Sequence, residues 1–581
     1  MIGTDYIFIA IFLIGILVIG AIFSTRMKNS QDMFVAGRNS SWWVAGLSGY
    51  MTIFSAGTFV VWGGIAYRLG LVAVSILTTI GLSLILVGIF VSGKWREIGI
   101  KSPAEYLGIR FGMRTVKLYT LLGIIGRGVS VSVALYAVSI LLVALIPLPE
   151  GHLLSDPVTG NLAVTWAILI VGVTSVIYTV AGGLWAVLMT DVVQFILLIL
   201  MIFLLVPLSF NSVGGVATFI EQAPQDFFRP VSGEYSFIWL ILWFCLWFFQ
   251  VSGDWPFVQR YISVPTAKDA KKVAFLMAAL YIITPLIWMI PSMVYRVINP
   301  SANPEQAYIL ISQHVFPPGM LGLMMAAMIS ATMSMVDSML NVFAGVFTND
   351  IYLPWRPAST EKKLMKVGRT FTFVFGALVI GLALLIPLLG GAEKVVVTLI
   401  TLMMGPMVVP SVWGLFSRHI SQKAVWLTLG VAYTFGIVAK IGLSTQGFIA
   451  GLWSGGASIA AFVQANPELV DALIGLVIPV VILTFIEVSA RNKSVDAGWS
   501  RFTASIHRNR VAEEGKAIPT ASLLPGKIVI WSFVILGLAV GWLALVSDTQ
   551  QKILMLFTIL LLSVPLIITL YNYIKKRNNE I

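Results

Sequence analysis

Residues 42–67, WWVAGLSGYMTIFSAGTFVVWGGIAY, carry no charge and are long enough to cross about 30 Å of hydrocarbon as a helix. Gly46, Gly49, Gly57, Gly63 and Gly64 punctuate the stretch, and polar Ser55 and Thr58 sit in its middle. The pattern predicts a membrane helix interrupted around Ser55. A break at membrane depth leaves backbone carbonyls and helix ends free to hold ions and solutes. The competing reading is that the glycines only let helices pack closely.

The rest of the chain agrees with a membrane location. Of 581 residues, 58% are hydrophobic and 11% charged, with mean hydropathy +0.94. A soluble chain carries about a quarter charged residues. Here the charges separate apolar blocks of about 20 residues, and the alternating short segments of a β-barrel are absent. The expected fold class is an all-α polytopic membrane protein, with fifteen candidate spans. The net charge of +12 is topological. With the N-terminus outside, about 30 of the Lys and Arg residues fall in alternate loops, such as that holding Lys94, Arg96, Lys101, Arg110, Arg114 and Lys117. That orientation puts Lys575, Lys576 and Arg577 in the cytoplasm and makes the lipid bilayer, not nucleic acid, the macroscopic partner. The expected location is the plasma membrane.

The first span carries Asp5 and has no basic residue ahead of it, so it reads as a retained helix rather than a signal peptide. Cys245 is alone and the four His are scattered without metal spacing. No nucleophile–base pair or phosphate loop is present, so the chain does not read as an enzyme. The polar stretch at about 490–526 reads as a basic cytoplasmic linker.

Two groups of five spans stand out, the second to sixth and the seventh to eleventh. An odd number per group places them in opposite orientations, as an inverted repeat requires. The first span of each is interrupted, around Ser55 and at Gly253 and Pro256. The expected organisation is an N-terminal helix with its connecting loop (1–41), a first five-helix repeat (42–208), a second (209–416), and about four additional helices (417–581).

Four segments carry a resemblance: QDMFVAGRNSSWW (Gln31–Trp43), AGGLWAVLMTDVVQ (Ala181–Gln194), SGDWPFVQRYISVPTAKDAKK (Ser252–Lys272) and SMLNVFAGVFTNDIY (Ser338–Tyr352). In order and spacing they resemble the sodium/solute symporter family, which includes sodium-coupled sugar, proline, sialic acid, pantothenate and choline carriers. The second segment looks like that family's Gly-Gly turn before the fifth core helix. The likeness covers roughly residues 30–425. It implies a leucine-transporter-type 5+5 fold and a sodium ion, Na+, as coupling ion, held between the first and eighth core helices. By position, its ligands are the carbonyls of Met51, Phe54 and Ala331 and the hydroxyl of Ser334. The second hydroxyl position holds Met335, and a thioether is a poor ligand for a hard cation. Asp337, one turn beyond Ser334, replaces that hydroxyl, carries a proton, or bonds to backbone. Asp191 matches a family carboxylate near the ion exit path or an additional sodium site. The alternative for Asp191 is a charge paired with a helix N-terminus.

For the substrate, the sugar branch has a Gln, a Glu and an Asn where this chain has Thr58, Leu77 and Trp247, which disfavours a sugar held in the usual way. The charge that the proline branch places after the first break is missing from SAGT (Ser55–Thr58). Arg127 lies inside the third core helix in IIGRGVSVSVALY, where a guanidinium costs at least a few kcal/mol unless paired or hydrated. Its planar donors suit a carboxylate, as a third-helix Arg does in the similar sialic acid carriers. Snorkelling to the interface, or pairing with an internal Asp, is the other reading. Further lining candidates are Gln250, Asp254 and Thr401. The expected function is symport of a small polar organic solute with sodium by alternating access, the solute being a carboxylate or sugar-derived acid. A proton-coupled or ion-independent carrier, or a transporter-like sensor, are the alternatives.

Overall fold

The computed structural model describes residues 3–24, 38–149, 151–158, 160–317, 319–389, 400–439, 456–491 and 494–513, with isolated positions between 530 and 567. Among the described residues the regular structure is helical apart from two isolated β-bridges, and seven helices are long and apolar enough to cross a bilayer, eight when one bent pair counts as a single span. The remaining expected spans are shorter helices or lie outside the described residues.

Helix α1 (Gly3–Ser24) is followed by the interrupted span, α2 (Trp42–Met51), then a π turn (Thr58–Trp62) and α3 (Gly63–Leu69). The break runs from Thr52 to Ser55, where the sequence placed it, and the helix resumes at Ala56 and Gly57. The glycines divide the labour differently from the expectation. Gly46 and Gly49 lie inside α2, where an added Cβ would come within 2.7 Å of Leu276 and 2.6 Å of Met277. They are packing glycines that bring α2 against α9 (Ala267–Trp288), and of the five only Gly57 lies beside the break. Three of the N–H groups freed there find side-chain acceptors. Ser55 N–H donates to Thr58 Oγ1 (3.3 Å), Gly57 N–H to Ser55 Oγ (3.2 Å), and Ala56 N–H to Thr332 Oγ1 (3.0 Å).

Helices α4 (Leu71–Phe90) and α5 (Met113–Leu145) precede a difference from expectation. The spans at 162–180 and 187–208 are joined without a loop, because helix α6 runs from Val164 to Ser212, through the Gly182–Gly183 turn. At 1.5 Å per residue a straight helix of that length would exceed 70 Å, about twice the hydrocarbon thickness, so it spans the membrane as two segments.

The second interrupted span is α7 (Phe237–Gly253) and α8 (Trp255–Ile262), bent by 52° at Asp254. Pro256, without an N–H, suits the first turn of α8. Freed carbonyls find side-chain donors: Tyr261 Oη bonds Val251 O at 3.0 Å and Trp95 Nε1 bonds Ser252 O at 2.7 Å. Beyond α9 comes α10 (Met320–Val346), buried at every residue and packed on α1, α5, α6 and α11 (Glu361–Leu385). Asp5 of α1 closes its N-terminus from another helix, its Oδ1 accepting from Gly319 N–H (2.9 Å) and Gly322 N–H (2.8 Å). These are donors that a helix start leaves without internal partners.

Toward the C-terminus lie α12 (Gly405–Trp413), α13 (Gln422–Ile437) and α14 (Ile478–Ala490). The linker expected at 490–526 is in part an ordered helix, α15 (Ala497–Glu513). It is held at both ends. The fully buried Arg110 guanidinium pairs with Asp496 (2.7 Å) and donates to Gly414 O (3.2 Å) and Ser417 O (3.0 Å). Arg501, Ser505 and Asn509 donate to the carbonyls of Ile109, Ile98 and Glu97. Local composition suggested a solvated tether because these acceptors are backbone atoms hundreds of residues away.

Two outcomes follow. Asp5→Ala leaves two buried N–H groups of α10 without an acceptor and should destabilise the detergent-solubilised protein by about 1–3 kcal/mol, read as a lowered unfolding temperature. Arg110→Ala should release α15, so that limited proteolysis cuts within 496–513 at protease levels that leave the parent chain intact.

Candidate functional site

Two polar clusters sit beside the two helix breaks. The first joins α2, α6, α8 and α10 around Asp191, which is fully buried. Its carboxylate accepts from the hydroxyls of Ser48 and Ser334 and faces the Arg260 guanidinium, with Nη2 at 3.5 Å from Oδ2. Arg260 also donates from Nε to Ser48 Oγ (3.1 Å) and from Nη2 to Ser338 Oγ (2.6 Å). Ser334 Oγ lies 3.3 Å from Met51 O, the last carbonyl of α2. A hydroxyl has one hydrogen, so Met51 O and Asp191 are alternative acceptors for Ser334. The result is a compact set of oxygens from a helix end, two hydroxyls and a carboxylate, the donor type that a hard monovalent cation takes. Arg260 balances the carboxylate charge. Leaving either partner of a buried pair alone costs about 3–5 kcal/mol.

The second cluster lies on a cavity of about 110 Å³ bounded by the first break, α4, α5, α7, α9 and α10. Arg127 of α5, Thr58 at the restart of the first span, and Trp247 and Gln250 of α7 all line it. So does Met335, the side chain at the expected second hydroxyl position, which therefore faces the cavity. Aromatic rings form much of the wall: Trp62, Tyr50, Tyr281 and Trp288, with Phe54 packed on Trp288 at 4.1 Å between ring centres. Arg127 is paired through Nη2 with Asp254 Oδ2, and Gln250 Nε2 lies 3.3 Å from the same oxygen. Arg127 Nε and Gln250 Oε1 are buried and have no hydrogen-bond partner among the described residues. Two residues that line the cavity thus each keep one buried polar atom unpartnered, a donor on Arg127 and an acceptor on Gln250.

The residues singled out in the sequence divide as follows. Met51, Ser334 and Asp191 come together, and Thr58, Arg127, Trp247 and Gln250 share the cavity. Phe54 N–H bonds Met51 O (3.0 Å), which places Phe54 beside the break, and Ala331 is buried in α10 one turn ahead of Ser334. Asp254 is not in the cavity wall but behind Arg127, as its counter-ion. Arg127 is thus paired with an internal Asp, and it lines the cavity as well. Asp337 does not join the Asp191 cluster: both its oxygens are buried without a hydrogen-bond partner, the Ser338 N–H standing alongside outside bonding geometry. The side chain of Thr401 lies outside the described residues. Sequence reasoning missed Ser48, Ser338 and Arg260 in the Asp191 cluster. Arg260 was visible as the end of the Gln-Arg signature, but its partner is 69 positions away.

The comparisons agree with this geometry. The model of the sodium:solute symporter family matches residues 33–429, more than half of the chain. The sodium/sialic acid symporter NanT of Aliivibrio fischeri is 28% identical, over 76% of this chain and 86% of its own. The sodium/glucose cotransporter of Vibrio parahaemolyticus is 29% identical over 63% and 70%. Sodium/myo-inositol cotransporter 2 of Mus musculus is 25% identical over 75% and 70%. Among solved structures, the substrate-bound outward-open state of a Na+-coupled sialic acid symporter superposes with a TM-score of 0.67 at 23% identity, covering 85% of this chain and 98% of that one. The all-α polytopic membrane fold is shared with that solved symporter structure. The chain belongs to the sodium:solute symporter family, and its activity is the sodium-coupled symport of a small solute.

Proposed function

We propose that the solute carries a carboxylate and that Arg127 receives it. The observation that supports this most directly is the position of Arg127: a buried guanidinium on the cavity wall, with Nε unpartnered. A planar guanidinium offers a carboxylate two parallel donors, a match that neutral hydroxyls do not make. The aromatic walls suit an apolar or ring-shaped body, and the cavity is on the scale of the engineered void of about 150 Å³ that holds benzene. The sialic acid carried by one relative is itself an acid, which fits this reading.

Sodium occupies the other cluster, held by the Met51, Phe54 and Ala331 carbonyls, Ser334 and Asp191. Asp337 is the candidate for a second cation or a proton. Transport runs by alternating access, with the two breaks as the flexing points. The N-terminus lies outside and the C-terminus in the cytoplasm of the cell membrane, which places Arg110 and α15 on the cytoplasmic face.

The coupling ion is tested in proteoliposomes. Uptake driven by a sodium gradient should exceed uptake driven by a pH gradient at equal membrane potential. Equal uptake without sodium would favour proton coupling through Asp337. Ser334→Ala should raise the sodium concentration for half-maximal thermal stabilisation on the order of tenfold, the equivalent of one charge-assisted contact of about 1.4 kcal/mol. In a thermal-shift screen of acids, sugars and amino acids, Arg127→Ala should lose stabilisation by the acidic ligand while keeping stabilisation by sodium. Retained ligand binding removes Arg127 from the site.

A further inference from the structure

Arg127 does not wait for its ligand empty-handed. The carboxylate it holds belongs to Asp254, and Asp254 is the residue at which α7 gives way to α8. Three observations make this pair unlike a simple structural ion pair. First, Arg127 contributes one nitrogen to it, while Nε is buried and unused. Second, Gln250 reaches the same Asp254 oxygen with its amide N–H and leaves its own carbonyl oxygen unpartnered beside the cavity. Third, Asp254 occupies the N-cap position of α8, with extended backbone angles of −70° and 130°; its carboxylate already stands against the Trp255 N–H at the first position of α8, yet it makes no full capping bond further into the helix. Asp is among the best residues for that position because its oxygens accept the first free N–H groups of a helix.

We infer that Asp254 is an internal stand-in for the substrate carboxylate, displaced from Arg127 when the solute binds. The inference rests on the carboxylate reading above and adds a role for a residue that does not itself touch the solute. In the empty carrier the guanidinium needs a counter-charge, since an uncompensated cation at membrane depth is costly. An incoming carboxylate supplies a better-matched one, bonding the unused Nε as well as Nη2. Asp254 then turns to the start of α8, whose N–H groups and positive dipole end accept a negative charge. Occupancy of the cavity is in this way transmitted to the 52° bend. The exchange also sets specificity: a neutral polyol cannot displace the carboxylate, whereas a compact anion can.

The test uses acetate as probe, because any carboxylate that reaches Arg127 competes with Asp254. Thermal shifts of the full-length protein are measured against sodium acetate at constant total sodium and ionic strength. Asp254→Asn removes the internal competitor and should lower the half-saturating acetate concentration on the order of tenfold. The double variant Asp254→Asn with Arg127→Ala should show no acetate response. Asp254→Ser replaces Asp254→Asn if the latter fails to fold. As a second readout, acetate should slow amide hydrogen exchange across 254–262 in the parent protein and not in Asp254→Ala. Acetate binding that Asp254→Asn weakens or leaves unchanged overturns the exchange alone. No acetate binding in either the parent or Asp254→Asn overturns the carboxylate reading, and the exchange with it.

Discussion

The constraint on which the rest of this structure depends is the cost of a bare charge far from water. Two guanidinium groups, Arg127 and Arg260, lie buried among membrane helices, and each is answered by an aspartate on a different helix. Neither pair forms unless distant helices meet: α5 with the α7–α8 bend for one, α8 with α6 for the other. Replacing such a pair by packed apolar groups is often neutral or stabilising, so its presence speaks for a use beyond stability. The use follows from where the pairs are. Both sit at interruptions in the helices, where backbone polar groups are already exposed and where a cation or anion finds partners without unfolding anything.

The interruptions could be read in the sequence, and the reason is local. Ser55, Gly57 and Thr58 in one span, and Gly253 with Pro256 in the other, act on the backbone of their own neighbourhood. Arg127 could also be recognised, since an arginine amid glycines and valines within a span is costly unless it is paired or hydrated. Its partner could not. Asp254 looked like a lining residue because it stands near Gln250 in the chain, and only the path of α5 reveals that it lies behind the guanidinium. The same limit applies to Gly46 and Gly49. As residue types they are equally suited to breaking a helix and to admitting a neighbour, and the side chains of Leu276 and Met277 decide for the second. Helix α15 was hidden more deeply still, because it is fixed by carbonyls of residues 97–109, which carry no sequence signal at all.

Helix α10 gathers these threads. It is covered along its whole length, its N-terminus is closed by Asp5 of α1, and its Thr332 hydroxyl accepts the Ala56 N–H at the first break. Ser334 and Ser338, one turn apart, reach Asp191 and Arg260. One helix therefore touches both sides of the first break, supplies two hydroxyls to the Asp191–Arg260 cluster, and through Met335 lines the cavity. A thioether at that position offers the cavity an apolar surface and no hydroxyl oxygen. The neighbouring Ser334 is bonded to Asp191 instead.

Charge balance then links the two clusters. Empty, each is neutral: Arg260 with Asp191, and Arg127 with Asp254. On the assignment proposed above, a sodium ion alone would add one positive charge to the first, and a carboxylate solute alone would add one negative charge to the second. At an effective dielectric constant of about 20, a single charge at 10 Å from an opposite one gains about 1.7 kcal/mol. Loading both cargoes therefore costs less than the sum of loading each. By linkage the same free energy appears as tighter sodium binding when the solute is present and tighter solute binding when sodium is present. Cooperativity of this kind needs no contact between ion and solute. It needs only two compensated charges, held apart by α10 and freed to move at two bends in the chain.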